Sequence, residues 1–202
     1  IVDYGIGNIK AFLNLFGRLG ISAKRACTAD DLKGSTHLVL PGVGHFDHAM
    51  GSLNKSGMKK QLEELVIESK IPILGVCVGM QMLSNGSDEG SMQGLGWVPG
   101  RVRAFEKNPH SNSLSLPHMG WNTLSSRKPG LIFSRDNKEL LQFYFLHSYY
   151  FDAEDKTDVS ATCYYGFDFD AAVSRKNIYG VQFHPEKSHR WGEQLLKNFA
   201  EL

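Results

Sequence analysis

The stretch Ile73-Leu74-Gly75-Val76-Cys77-Val78-Gly79-Met80-Gln81 decides how the rest of the chain is interpreted. An apolar run ends in Gly-x-Cys-x-Gly, and a helical pattern follows. Two glycines at this spacing permit a sharp turn from a strand into a helix, the turn that exposes the nucleophile of serine hydrolases. A thiol at the start of a helix lies near the positive end of the helix dipole, which favours the thiolate. Cys77 is therefore the candidate nucleophile; the alternative is a small, buried and inert cysteine.

The residues on either side of this turn predict an α/β fold. In the first half of the chain, short apolar runs alternate with stretches whose apolar residues recur at helical spacing. The predicted strands cover residues 1–5, 21–26, 36–40 and 71–76, and the predicted helices lie within 9–19 and 46–68 and directly after Cys77. Strands that alternate with helices indicate a parallel sheet that is covered on both faces.

The second half of the chain has a different pattern. Strand-like runs joined by short polar turns cover residues 97–105, 121–124, 142–151, 159–165, 171–174 and 179–183, and a last helix covers 192–202. Such runs indicate an antiparallel extension of the sheet. We therefore predict one α/β domain over residues 1–202, with a mostly parallel central sheet, flanking helices and an antiparallel extension.

A second catalytic signal is the sequence His184-Pro185-Glu186. In an extended chain residues i and i+2 point the same way, and proline helps to keep the chain extended. The Glu186 carboxylate could then reach the His184 imidazole, select its tautomer and stabilise the imidazolium, as the acid of a catalytic triad does. His-Pro-Glu alone is a weak signal, but together with the glycine-flanked cysteine it favours a thiol hydrolase.

The composition excludes several classes of protein. A net charge of +1 gives no basis for a general nucleic-acid or membrane surface. Cys27, Cys77 and Cys163 are too few and too scattered for a disulfide framework or a zinc site, and no apolar run approaches the ~18–20 residues that cross a bilayer. We therefore expect a cytoplasmic protein. His45 and His48 could face a metal from one helical turn, but no third ligand is apparent, so neither a metal nor another cofactor is predicted.

These motifs together resemble the class I, triad-type glutamine amidotransferases, and more narrowly the glutaminase subunits of imidazole glycerol phosphate synthase. The resemblance covers essentially the whole chain. Besides the two catalytic motifs, it includes Asp3-Tyr4-Gly5-Ile6-Gly7-Asn8, Leu40-Pro41-Gly42-Val43-Gly44, Gly94-Leu95-Gly96-Trp97, Pro117-His118-Met119-Gly120-Trp121-Asn122 and Phe145-Leu146-His147-Ser148-Tyr149.

The resemblance implies a role for each matched position. Cys77 would be the nucleophile, His184 the general base and acid, and Glu186 the residue that orients the histidine. The implied oxyanion hole consists of Gly42, Val43, Gly44 and the Val78 N–H. The residues implied to hold the amino-acid end of glutamine are Gln81, His147, Ser148 and Tyr149.

The resemblance also implies a partner. In this family the ammonia passes to a (β/α)8-barrel cyclase that docks over the glutaminase site as a heterodimer. Asn8, Met119, Trp121 and Lys187 would lie near that interface, although for Trp121 a core position is the alternative. The cyclase forms imidazole glycerol phosphate and aminoimidazole carboxamide ribotide in histidine biosynthesis.

Three alternatives remain open at this point. The residues His189-Arg190-Trp191-Gly192 and Phe46-Asp47-His48-Ala49-Met50 favour a paralogous branch that supplies ammonia for amidating a bacterial surface sugar. A catalytically silent binding module on the same fold is disfavoured by the intact Cys77, His184 and Glu186. A cysteine peptidase or deglycase of related fold is disfavoured by Gln81 and by the Pro-Gly-Val-Gly turn.

Overall fold

A mixed β-sheet organises the molecule. The computed structural model describes residues 1–111, 114–126, 132–133 and 140–202, and within these residues the sheet has nine strands. The strands are β1 (Leu38–Gly42), β2 (Ile73–Cys77), β3 (Gly100–Ala104), β4 (His118–Ser126), β5 (Leu141–His147), β6 (Tyr149–Ala153), β7 (Val159–Tyr165), β8 (Phe167–Arg175) and β9 (Ile178–Val181).

Helices flank this sheet. The α-helices are α1 (Ile9–Arg18), α2 (Phe46–Lys55), α3 (Lys59–Glu63), α4 (Val78–Met82) and α5 (His189–Ala200), and a π-helical turn (Glu64–Glu68) continues α3. Short 3₁₀ segments occur at Asp30–Leu32, Phe105–Lys107, Pro109–Ser111, Lys156–Asp158 and Pro185–Lys187. Among the described residues no helix is both long and apolar enough to cross a membrane.

The order of the strands confirms the predicted α/β class and the antiparallel extension. The main path runs β1-β2-β9-β8-β7-β4-β5, and β3 joins it through β6, which pairs with β8. The pairs β1–β2 and β2–β9 are parallel, while the pairs formed by β3 to β8 are antiparallel. Because β1, β2 and β9 are parallel, their carboxyl ends meet at one edge, where open α/β sheets bind ligands.

Several predicted elements differ from the observed ones. The predicted strands at 1–5 and 21–26 reduce to a single parallel bridge between Val2 and Ala26, because the residues around Ala26 are exposed and polar. The predicted helix within 46–68 is broken at Gly57, which has a left-handed backbone (φ 73°). The predicted strand 142–151 is two strands, β5 and β6, because the chain changes its pairing from β4 to β3 and β8 at Ser148.

The turn from β2 into α4 requires glycines because backbone atoms approach each other closely there. A Cβ built on Gly79 would lie 1.9 Å from the Leu40 carbonyl oxygen, and one built on Gly42 would lie 2.5 Å from the Gly79 nitrogen. A Cβ on Gly75 would lie 2.7 Å from the Gly79 oxygen. Since all three contacts are with backbone, no side chain can move aside to admit a methyl group. Strand β1 and helix α4 therefore touch through glycine backbone.

We expect Gly79→Ala to lower the free energy of unfolding by about 3 kcal/mol or more, because the added methyl group overlaps a carbonyl of β1. Gly17→Ala is the matched control. Gly17 is exposed inside α1 with nothing within 4 Å of a built Cβ, so alanine should stabilise the protein by about 0.5–1 kcal/mol. Urea unfolding of wild type and both variants measures the effects. A Gly79→Ala variant as stable as wild type would contradict the close-packed turn.

Candidate active site

Cys77 occupies a strained position at the end of β2. Its backbone has φ 55° and ψ −113°, a region that residues other than glycine rarely adopt, and it is the N-cap residue of α4. The residue is buried. Such strain is characteristic of functional sites, where the surrounding structure holds a residue in an unfavourable conformation. The predicted strand-to-helix turn is thus present, with the thiol at the helix N-terminus.

One glutamine contacts the Cys77 thiol, and a second glutamine holds the first. The Gln182 amide nitrogen lies 3.8 Å from Cys77 Sγ, within the range of a hydrogen bond to sulfur. Gln81 donates from its own amide to Gln182 Oε1 at 3.1 Å and to the Tyr149 carbonyl at 3.3 Å. Gln182 was not predicted from the sequence. The available signal was a polar residue in an otherwise apolar strand pattern, two residues before His184 and hence on the same side of an extended chain.

His184 and Glu186 form the predicted pair. His184 Nδ1 lies 2.9 Å from Glu186 Oε1, and both side chains are almost fully buried. Since the carboxylate only accepts, Nδ1 carries the proton and leaves Nε2 for the thiol. The His184 backbone N–H donates to the Tyr144 carbonyl at 2.9 Å, which ties the base to strand β5.

The electrostatics of this pair favour an imidazolium. Burial by itself lowers the pKa of His184, but hydrogen bonds to Cys77 and Glu186 and the charges of both groups raise that pKa to about 10. For Glu186, burial raises the pKa, whereas His184 and a hydrogen bond from Asn8 bring it below its usual value. The protonated His184 therefore places a positive charge beside the Cys77 thiol, and a cation beside a cysteine is the setting of reactive thiols.

A cavity of about 340 Å³ opens over the thiol. It is lined by most of the predicted site residues, namely Val43, Gly44, Cys77, Val78, Gln81, His147, Ser148, Tyr149 and His184, together with Glu89, Pro117, Leu146 and Lys187. Gly42 is not among the lining residues, since it packs under the turn against Gly79. The volume suits a ligand of amino-acid size.

Glu89 is an acidic residue of this cavity that the sequence did not reveal. Its carboxylate oxygen Oε2 accepts the backbone N–H of Phe46, the first residue of α2, at 2.8 Å. A carboxylate in a cavity wall can hold an ammonium group, so Glu89 is a candidate for recognising the amino group of a ligand. No sequence pattern indicated it, because the contact joins residues that are far apart in the chain.

Buried contacts at Pro41 hold the end of β1, directly before the Gly42–Gly44 turn. Tyr4 donates from its hydroxyl to the Pro41 carbonyl at 2.8 Å, and both groups are buried. A Cβ built on Gly7 would lie 2.9 Å from Pro41 Cβ, so the N-terminal segment packs directly against the turn. Gly44 has φ 82°, a conformation available to glycine without strain. That Gly42, Val43, Gly44 and Val78 form an oxyanion hole stays a prediction.

A buried pair of histidines lies at the cavity, and His147 is the member that lines it. His147 Nδ1 donates to the Tyr149 carbonyl at 2.7 Å, so His147 Nε2 must accept a hydrogen bond from the N–H of His118 Nδ1, 3.0 Å away. His118 Nε2 then accepts from the Asn122 amide at 3.2 Å. Burial lowers the pKa of His147 to about 3 and that of His118 to about 4, so both are neutral.

Of the predicted interface residues, Lys187 lines the cavity and Met119 pairs in the sheet with the cavity residue Leu146. Met119 and Trp121 are 65% and 48% exposed, so Trp121 is not a core residue. Trp121 stacks on His189 with ring centroids 5.3 Å apart, and the Lys187 ammonium lies 5.8 Å from the centre of the Tyr144 ring. Asn8 lies deeper, with its amide on Glu186. A docking role for these residues stays a prediction.

No metal site accompanies the cavity within the described part of the chain, where no three metal-ligating side chains cluster. His45 instead caps α2, because its ring nitrogen Nδ1 accepts the Asp47 N–H at 3.1 Å.

Comparison with known proteins decides the family. The family model for glutamine amidotransferase class-I matches residues 1–202. The chain belongs to this family. Among relatives of this amidotransferase is the imidazole glycerol phosphate synthase subunit HisH of Bdellovibrio bacteriovorus, 54% identical over 100% of this chain and 98% of the relative. The protein of that name from Leptospira borgpetersenii is 50% identical over the same shares.

Solved structures agree on the fold of the amidotransferase. A crystal structure described as a glutamine amidotransferase superposes with a TM-score of 0.77 and 21% identity, covering 99% of this chain and 96% of the other. The predicted fold class and the predicted enzyme class, a glutamine amidotransferase, are both confirmed.

The stability of the amidotransferase should depend on pH through His184. Its pKa rises from 6.5 to about 10 on folding, so its contribution is fully present below about pH 6.5 and is lost as the pH rises through 10. The measured quantity is the difference in unfolding free energy between wild type and His184→Gln. We expect this difference to fall by up to about 1.4 kcal/mol per pH unit in that window. Glu186→Gln should flatten this dependence. A difference that does not change with pH would contradict the buried ion pair.

Proposed function

We propose that this chain is the glutaminase subunit of an imidazole glycerol phosphate synthase and that it hydrolyses glutamine and delivers the ammonia to a barrel-shaped cyclase subunit. The observation that carries the proposal is the strained thiol of Cys77 beside the buried His184–Glu186 pair. The family and the names of the relatives support the glutamine and histidine-pathway parts. A match over residues 1–202 supports a single catalytic domain, and a role in amino-acid biosynthesis favours the cytoplasm.

The reaction begins at the Cys77 thiolate. The thiolate attacks the side-chain carbonyl carbon of glutamine. The resulting oxyanion accepts hydrogen bonds from the backbone N–H groups of Val78 and of the Gly42–Gly44 turn, and each bond stabilises the transition state by about 3 kcal/mol. The His184 imidazolium gives its proton to the departing nitrogen, the C–N bond breaks and ammonia leaves, and the γ-glutamyl group remains on Cys77 as a thioester. His184 then takes a proton from water, the hydroxide attacks the thioester, and glutamate leaves with Cys77 restored.

The amino-acid end of glutamine is held by the far wall of the cavity. Glu89 has the charge to bind the α-ammonium group. Gln81, His147, Ser148 and Tyr149 line the same cavity, and the neutral His147 adds no positive charge that would repel the ammonium. In this arrangement the side-chain amide of glutamine lies at the Cys77 thiol, and its amino-acid end lies near α2.

The cyclase subunit is proposed to cover the mouth of the cavity. Met119 and Trp121 are large apolar side chains exposed beside the site, and Lys187 offers a positive charge at the same rim. Apolar exposure next to a polar reaction centre is characteristic of a surface that another protein covers. The sugar-amidating paralogue is not favoured, because the relatives above carry the name of the histidine-pathway enzyme.

Cys77→Ala should lower glutamine hydrolysis about ten-thousandfold or more while the fold is kept, because the triad members act as a unit. His184→Ala should lower the rate about as much, and Glu186→Gln should lower it less.

Treatment with a glutamine-shaped electrophile, followed by peptide mass spectrometry, should show a label on Cys77 alone. Cys27 is an internal control for exposure, since it is exposed but lies outside the cavity. Burial raises the pKa of Cys163 to about 12, so that thiol should also stay unlabelled. Turnover by Cys77→Ala would contradict the assignment.

The chain alone should hydrolyse glutamine slowly, and the cyclase with its ligand should raise the rate about a hundredfold, because reorienting one oxyanion donor is worth about 3 kcal/mol. Lys187→Glu and Trp121→Ala should weaken the stimulation and the binding of the cyclase measured by calorimetry. Ile67→Ala is the control, since Ile67 is an exposed apolar residue that precedes β2, at the opposite edge of the sheet from the site. Full activity without a partner would argue for a free-standing hydrolase.

A further inference from the structure

Asn8 uses its side chain in an unusual way for its position. It is the N-cap residue of α1, and its carbonyl accepts the N–H groups of Ala11 and Phe12 at 3.0 and 3.3 Å. Asparagine is favoured at this position because its side chain normally accepts a hydrogen bond from the first turn of the helix. Here the side chain makes no capping bond. The amide nitrogen Nδ2 instead donates to Glu186 Oε1 at 3.1 Å.

The Glu186 carboxylate has few other donors. Oε1 receives both the Asn8 amide and His184 Nδ1–H, whereas Oε2 is buried and has no hydrogen-bond partner within the described parts of the chain. The Glu186 side chain is only 2% exposed. Apart from His184, Asn8 is the one side chain among the described residues that donates to this carboxylate. The orientation of the carboxylate about its last bond therefore depends on Asn8.

We propose that Asn8 is a positioning residue of the catalytic triad, whose amide holds the Glu186 carboxylate in the orientation that supports His184. The proposal rests on the triad function proposed above and adds a fourth residue to it. Asn8 touches neither the thiol nor the cavity and acts through Glu186. Without its amide, the carboxylate can rotate away from the imidazole, and the His184 imidazolium loses support.

The backbone of Asn8 is well placed for this task. The preceding Gly7 packs against Pro41, and the following residues form α1, so the amide is presented from a fixed position. A side chain held at both ends of its backbone loses little freedom when it binds, which is what makes a positioning contact effective. The contact also brings residues 178 positions apart together, so the sequence alone did not show it.

The test measures the reactivity of Cys77 in the isolated chain. The rate of alkylation by iodoacetamide is followed against pH for wild type, Asn8→Ala and Asn8→Leu; leucine matches the branched shape of asparagine without a donor. Loss of the amide should move the midpoint of the alkylation profile to higher pH and lower glutamine turnover about tenfold, the loss expected for one hydrogen bond to a charged group. The Michaelis constant for glutamine should change little. Asn85→Leu is the matched control, since Asn85 donates to the surface carboxylate of Glu154.

A double-mutant cycle separates positioning from other roles. If Asn8 acts through Glu186, Asn8→Ala should have almost no further effect in a Glu186→Gln background. Equal losses in both backgrounds, or an unshifted alkylation profile in folded Asn8→Ala and Asn8→Leu, would overturn the proposal and indicate a structural or docking role. A wild-type Cys77 that reacts no faster than Cys27 would instead overturn the triad itself.

Discussion

The close approach of two backbone segments, β1 and the first turn of α4, is the constraint on which the site depends. Gly79 lies against the Leu40 carbonyl and Gly42 lies against Gly79, with no room for a side chain at either glycine. This contact determines how far the thiol of Cys77 lies from the turn at Gly42–Gly44. Because backbone rather than side chains sets the spacing, the distance between the thiol and the turn is set by the fold, whereas the orientation of the N–H groups in the turn can still change.

Electrostatics then differentiates side chains of the same type. His118, His147 and His184 are all buried, and burial alone lowers the pKa of each. His118 and His147 have neutral partners and stay uncharged, whereas His184 has the Cys77 thiol on one side and a carboxylate on the other, which raises its pKa to about 10. One positive charge is thereby concentrated at the thiol, while the other two buried histidines remain neutral. The partners, not the degree of burial, decide which histidine is the base.

The parts of the site that were predictable from sequence are the local ones. Glycines beside Cys77 indicate a tight turn, and the i, i+2 spacing of His184 and Glu186 places both on one side of an extended segment. Gln182 and Glu89 were missed because each acts through a contact across the sheet or between distant loops. The fold follows the same rule. The class was predictable from alternating patterns, whereas the break between β5 and β6 depends on which strand each half pairs with, and local periodicity carries no information about pairing.

The N-terminus of α2 connects Glu89 with the turn that is predicted to form the oxyanion hole. The Phe46 N–H donates to Glu89, and Asp47 accepts the N–H groups of Ser91 and Met92 at 2.9 Å each. These carboxylates clamp the loop that carries Glu89 onto α2, and α2 follows the Gly42–Gly44 turn after a single residue. A displacement of Glu89 therefore pulls on the helix that anchors the oxyanion turn. An ammonium group bound by Glu89 would share this carboxylate with the Phe46 N–H, so the proposed substrate contact is linked to the first residue of α2. If Glu89 holds the substrate ammonium, as proposed, substrate recognition and the predicted oxyanion turn are connected through these hydrogen bonds within the subunit itself.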